Sequence, residues 1–193
     1  IKINGKIHES HLPDPGRLKE LLLPGVKLLV KPEDGKNRKT HFSTQAVFSG
    51  KRLISINTWL PNKFVKFLID GRHLPFLSNW KILKAEVTEG KSRFDFQLRC
   101  KKKEMMLEVK SVTLVEDGIA KFPDAVTERG TRHLNHLSEI AKQGRQAMVL
   151  FVVQRGDASM FSPQWERDPK LGDALVNANK SGVQIRVIKM QMT

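Results

Sequence analysis

Apolar positions in the first sixty residues come in short runs broken by turn formers. In "IKINGKIHES" isoleucines flank Asn4-Gly5, a pair suited to the positive φ angles of a tight hairpin turn. "HLPDPGRL" follows, with two prolines and a glycine that forbid regular structure. "GVKLLVKP", "THFSTQAVFSG" and "RLISINTWLP" then read as three strands by alternation and β-branched content. Four or five short strands in so short a stretch predict a small barrel of the oligonucleotide-binding type. "NKFVKFLIDGR" changes period: Phe64, Phe67 and Leu68 are expected on the inner face of a short helix ended by Gly71.

From Trp80 the pattern is longer-ranged. "WKILKAEVT", "SRFDFQLR" and "EMMLEVKSVTL" read as strands, followed by a helix, the strand "AMVLFVV", a second helix and the strand "VQIRVIKM". The first helix, near Thr127–Gln143, turns Leu134, Leu137, Ile140 and Ala141 inward. The second starts at an Asp168 N-cap with Pro169 in its first turn, stops near Gly182, and buries Leu171, Ala174, Leu175 and Ala178. Strands followed by strand–helix–strand–helix–strand predict a mixed sheet covered by helices. The fold class expected is α/β (α+β overall), with a barrel domain over 1–61 and a mixed-sheet domain over 62–193.

Charge narrows the partner. Among 193 residues, 34 Lys+Arg against 20 Asp+Glu give a net charge of +14. Residues 1–61 hold 11 basic and 5 acidic side chains, and residues 62–193 hold 23 and 15, so both parts are basic. An excess spread in this way suits a polyanion such as nucleic acid. One cysteine, Cys100, leaves no intramolecular disulfide and fits a reducing compartment. The apolar runs are too short to cross a bilayer, so the expected location is the cytoplasm, with no membrane partner.

Within "EMMLEVKSVTL", Glu108 and Lys110 interrupt an apolar strand, two residues apart and on one face. If the preceding turn centres on Lys101-Lys102, Asp95 lies directly opposite Glu108 on the neighbouring strand, with Cβ atoms about 5 Å apart. Two carboxylates and a lysine on one sheet face suit a hard divalent cation, Mg²⁺ or Mn²⁺, which takes oxygen ligands and substrate phosphates. Glu86, in the preceding strand, is a further candidate ligand. The same residues equally fit a structural salt bridge, with Lys110 neutralising Glu108 or Asp95.

An aspartate followed by Glu-x-Lys on consecutive strands resembles the PD-(D/E)XK nuclease core, with Phe94 where that motif carries proline. "HLPDPGRL", "LISINTWLPN", "SRFDF", "LEVKSVTL" and "FPDAVTERGTRHLNHL" together resemble the sugar fermentation stimulation protein family, from about His11 to Val187. The resemblance implies an oligonucleotide-binding barrel followed by a restriction-endonuclease-like domain. It also implies DNA binding with little sequence preference, and a regulatory link to sugar (maltose) metabolism. Carried over, the motif assigns catalysis to Glu86, Asp95, Glu108 and Lys110, with the three carboxylates as metal ligands. A non-catalytic DNA-binding regulator is the alternative, and charge does not separate DNA, double- or single-stranded, from RNA. The oligomeric state is left open, a dimer included.

Other basic residues are candidates for phosphate contact. Arg129 and Arg132 lie at the start of a helix, where free N–H groups and the dipole favour anions; capping and surface charge are the competing reading. Lys101, Lys102 and Lys103 form either a phosphate contact or a charged hairpin tip. Arg17 ends "PDPGR", a phosphate-binding loop or a rigid turn, and "GKNRKT" at 35–40 reads as a mobile basic loop. His133 and His136 look like half a metal site but lack the further ligands that zinc needs. The three tryptophans, Trp59, Trp80 and Trp165, are expected in the core.

Overall fold

A computed structural model describes residues 1–14, 18–35 and 38–192. The N-terminal part contains the hairpin β1 (Lys2–Ile3) and β2 (Lys6–Ile7), turned through Asn4 and Gly5 at φ values of 49° and 82°. It continues as an antiparallel sheet of β3 (Leu28–Pro32), β4 (Phe42–Ser49) and β5 (Arg52–Ser55), in the order β3-β4-β5. A bridge from His11 to Ser43 fastens the intervening segment to this sheet. Leu18, Leu21, Val47, Ile54 and Ile56 form its core. Arg17 and the Lys36–Asn37 part of the 35–40 loop lie outside the described residues.

Helix α1 (Leu60–Asp70) leads into the second part. There Pro61, Val65 and Ile69 are buried, whereas Phe67 is 63% exposed. The inner stripe therefore follows the i, i+4 row through Val65, with Phe64 and Leu68 on its flanks. Phe67, expected inward from the sequence, lies two positions from both Val65 and Ile69 and so falls on the opposite, solvent-facing side of the helix.

The central sheet is built from β6 (Lys81–Glu89), β7 (Ser92–Cys100) and β8 (Lys103–Val112), which are antiparallel, and from β11 (Gln146–Val153) and β13 (Gln184–Lys189), which run parallel to β8. The order is β13-β11-β8-β7-β6. Every residue of β11 from Ala147 to Val153 is buried, as expected of a central strand covered on both faces. Helix α1 covers one face, through Phe96, Leu98, Met105, Leu107 and Val109. Helices α2 (Glu128–Lys142) and α3 (Pro169–Lys180) cover the other, over Phe94, Met106, Val112, Val149 and Phe151.

A small sheet absent from the sequence reading joins β9 (Val115–Glu116), β10 (Ile119–Phe122) and β12 (Met160–Pro163) in the order β12-β10-β9. It turns through Asp117-Gly118, both at positive φ. Both helix starts are fixed by side chains. Thr127 Oγ1 accepts the Gly130 N–H, and Asp168 Oδ1 accepts the Leu171 N–H. The second oxygen of Asp168 accepts the N–H of Thr127 at 2.9 Å, so one carboxylate caps its own helix and secures the start of the other.

The tryptophans depart from expectation. Trp59 is 64% exposed, just ahead of α1, and Trp165 is 43% exposed, its ring lying against Gly172 so closely that a Cβ there would meet it at 2.3 Å. Trp80 alone packs against the core.

Candidate metal and phosphate site

The turn between β7 and β8 is at Lys101-Lys102, with Cys100 paired to Lys103 and Phe96 to Leu107. This is the register that sets Asp95 across from Glu108. The ladder, however, stops at Phe96–Leu107 although both strands continue. On the other side, β6 pairs with β7 at Ala85–Phe96 and Val87–Phe94 but not between them. The row Glu86, Asp95, Glu108 therefore crosses three strands where regular pairing is interrupted. Strand β7 also rolls there: Phe94 enters the core under α2, whereas Phe96, two residues on, packs toward α1.

Asp95 occupies the gap. Its Oδ2 accepts the Val109 N–H at 2.7 Å, and its Oδ1 accepts the Asn62 side-chain amide at 2.6 Å. Burial, followed by the charge of Glu108, pushes its carboxyl up to about 6 against the pull of those donors and Lys110.

Glu108 is 3% exposed. Its Oε1 accepts from Lys110 Nζ and from His133 Nδ1, each at 2.6 Å. A carboxylate only accepts, so the proton in the second bond resides on Nδ1 of the imidazole. Burial would raise the Glu108 carboxyl, but His133 and Lys110 together hold it below its ordinary value. Its Oε2 is buried and has no hydrogen-bond partner among the described residues.

These groups line a cleft of about 290 Å³. Asp14 and Thr58 reach it from the N-terminal part, Asn62 from the start of α1, Ser111 and Thr113 from the end of β8, and Asp124, Thr127 and Arg129 from the approach to α2. The Thr58 hydroxyl donates to the Pro13 carbonyl, tying two segments of the N-terminal part together beside the cleft.

Asp95, Glu108, Lys110 and Arg129 are thus brought together, but Glu86 is not. It sits at φ +54°, a left-handed backbone that breaks strand alternation, and its side chain is 66% exposed, 3.9 Å from Arg93. Among the described residues no three acidic, histidine or cysteine side chains converge as a metal-binding group. Lys101, Lys102 and Lys103 are exposed at the turn, about 20 Å along the hairpin from Asp95 at 3.3 Å per residue. Arg132 lines a different hollow, on the far side of the α2 start.

Asn62 escaped the sequence reading, and His133 entered it only as half of a metal site. Nothing in "LPNKF" marks Asn62 as the partner of Asp95. His133 carried a usable signal, since Gly130, His133, Leu134, Leu137 and Ser138 form one buried helical stripe. A histidine on that stripe faces the sheet, and Glu108 is the group it meets.

The model of the "Sugar fermentation stimulation protein RE domain" matches residues 59–193, and that of the "SfsA N-terminal OB domain" matches residues 1–56. The chain belongs to the sugar fermentation stimulation protein family. A family member from Clostridium botulinum is 44% identical over the whole of this chain and 84% of its own length. Another, from Clostridium kluyveri, is 40% identical over 96% of this chain and 81% of its own. The solved structure of Pyrococcus furiosus SfsA in complex with Ca²⁺ superposes with a TM-score of 0.91 at 31% identity, covering 98% of this chain and 82% of that one. The family's N-terminal OB domain thus corresponds to the part built from β1 to β5. The mixed sheet with its three helices corresponds to the second family domain. No helix among the described residues is long and apolar enough to cross a membrane.

Proposed function

We propose that this family member binds DNA and hydrolyses phosphodiester bonds with a divalent cation, Mg²⁺ or Mn²⁺, with little dependence on sequence. The observation that carries the reading is Glu108 Oε2, buried and without a partner among the described residues, in a cleft that also holds the Asp95 carboxylate. A buried anionic oxygen is costly unless something coordinates it. Two carboxylates are what Mg²⁺ commonly takes from protein, the other positions going to water and phosphate. The Ca²⁺ complex of the Pyrococcus relative adds support, since Ca²⁺ is likewise a hard cation with oxygen ligands.

When bound, the cation would acidify a coordinated water and draw charge from a phosphoryl oxygen. The chain's own residues do the rest. Asn62 and the Val109 N–H orient Asp95, while His133 and Lys110 fix Glu108 through one oxygen and leave the other available. Lys110, with its side chain 15% exposed, offers its remaining protons to the attacking water or the phosphate. Arg129, exposed at the rim beneath the positive end of α2, pairs with non-bridging oxygens. The basic surface of both domains holds the backbone of the strand.

The second reading is a DNA-binding regulator of sugar metabolism without catalysis. Lys110 already committed to Glu108, and Glu86 turned away, favour it. Plasmid and single-stranded DNA incubated with excess wild type and Lys110→Ala, in Mg²⁺, Mn²⁺ or EDTA, separate the two. Metal-dependent nicking by wild type that Lys110→Ala lacks is the expected outcome. If none appears, the regulator stands.

A further inference from the structure

A second hollow, about 680 Å³, flanks the start of α2. The β6–β7 turn at Gly90-Lys91 and the beginning of α3 close its sides. Thr127 lines both this groove and the acidic cleft, so the two adjoin at the helix start. Phe94 links them underneath, with its ring 5.7 Å from that of His133, which holds Glu108, and 5.3 Å from that of His136, which lines the groove.

Ser92 points to an occupant. It lines the groove, is 2% exposed, and its Oγ has no hydrogen-bond partner among the described residues. A buried hydroxyl is normally satisfied, and this one belongs to a residue of the groove's wall. Lys91, Arg132 and Lys170 line the same hollow, and none forms an ion pair among the described residues. Glu128, Glu139 and Asp168 also line it, so three acids face three bases and the walls are near neutral overall. Such walls suit a ligand with one anionic end and one polar, uncharged end better than a bare polyanion. A nucleotide has both.

We propose that this groove is a nucleotide subsite. It takes the nucleotide next to the phosphodiester over Glu108, with the phosphate on Arg132 and Lys91 and the base edge on Ser92. The strand then leaves the cleft along α2, away from the N-terminal domain. The inference rests on the nucleic-acid reading of the cleft, and its test distinguishes failure of the one from failure of the other.

The measurement is fluorescence anisotropy of a labelled single-stranded DNA oligonucleotide with the full chain, over a range of salt. Wild type is compared with Lys91→Ala/Arg132→Ala, with Ser92→Ala, and with Lys180→Ala/Lys189→Ala, which removes the same charge elsewhere. Thermal melts check that each variant is folded, and Lys91→Gln/Arg132→Gln replaces the alanine pair if that pair is not. The groove pair is expected to weaken binding tenfold or more and to flatten the salt dependence by about 1.4 in log–log slope, about 0.7 for each cation on a single strand. Ser92→Ala is expected to weaken it severalfold with the slope unchanged, and the distant pair less than twofold. Equal losses in the two pairs would overturn the subsite and leave the nucleic-acid reading standing. No binding by wild type would remove both.

Discussion

At the scale of single residues, the site is a balance of burial against paired charge. The folded chain holds the Asp95 proton up to about pH 6, above the ordinary carboxylate range. Its contribution to stability is therefore full below about pH 4 and is lost as pH rises through 6. Asp95→Asn mimics the protonated form. In the metal-free protein it is expected to be more stable than wild type above pH 6, by up to about 3 kcal/mol. The gap should close below about pH 4, as read from urea midpoints across pH. His133→Ala acts in the opposite sense. It strips a buried carboxylate of one of its two donors and opens a hollow under α2, at a cost on the order of 3 kcal/mol. Denaturation at neutral pH measures it, and His133→Asn, which retains a donor, should recover part of the loss.

At the scale of elements, alternation and a tight turn made the hairpin that carries Asp95 and Glu108 legible. Lys101-Lys102 set the register, and period two put Glu108 and Lys110 on the α2 face with Val109 opposite. What sequence did not carry is the break in the ladder. A left-handed glutamate at position 86 and a strand rolling at Asp95 are backbone events, and no residue type there announces them. The phase of α1 was likewise obscured, because its many apolar residues fit more than one inner stripe. Asp168 belongs to this scale too. Two N–H groups in two helices depend on its carboxylate, so Asp168→Ala is expected to cost about 2 kcal/mol, at the upper end for a helix cap. Asp168→Asn, whose single acceptor oxygen serves one of the two N–H groups, should fall between. Guanidinium titrations of the three proteins give the order.

At the scale of the molecule, the OB domain and the mixed-sheet domain meet at the cleft. Asp14 and Thr58 line it from one side, and the ion pair of Arg52 with Asp157, 3.6 Å apart, spans the same junction. Net positive charge in both parts means a bound strand would release counterions along both. DNA affinity is therefore expected to drop at least a hundredfold between about 50 and 200 mM salt, as followed by filter binding. A flat response would argue against contact with the backbone of the strand.

The bond from Asp168 to Thr127 also has a consequence for the order in which the chain is made. Glu108, Lys110 and Asp95 are close neighbours in sequence and can pair as soon as their hairpin has been synthesised. The helix start above them waits for a residue 41 positions further on. On the ribosome, the floor of the cleft is thus complete before its roof can be fastened, and a chain stopped short of residue 168 carries the acidic cluster without the cap that fixes Arg129 beside it.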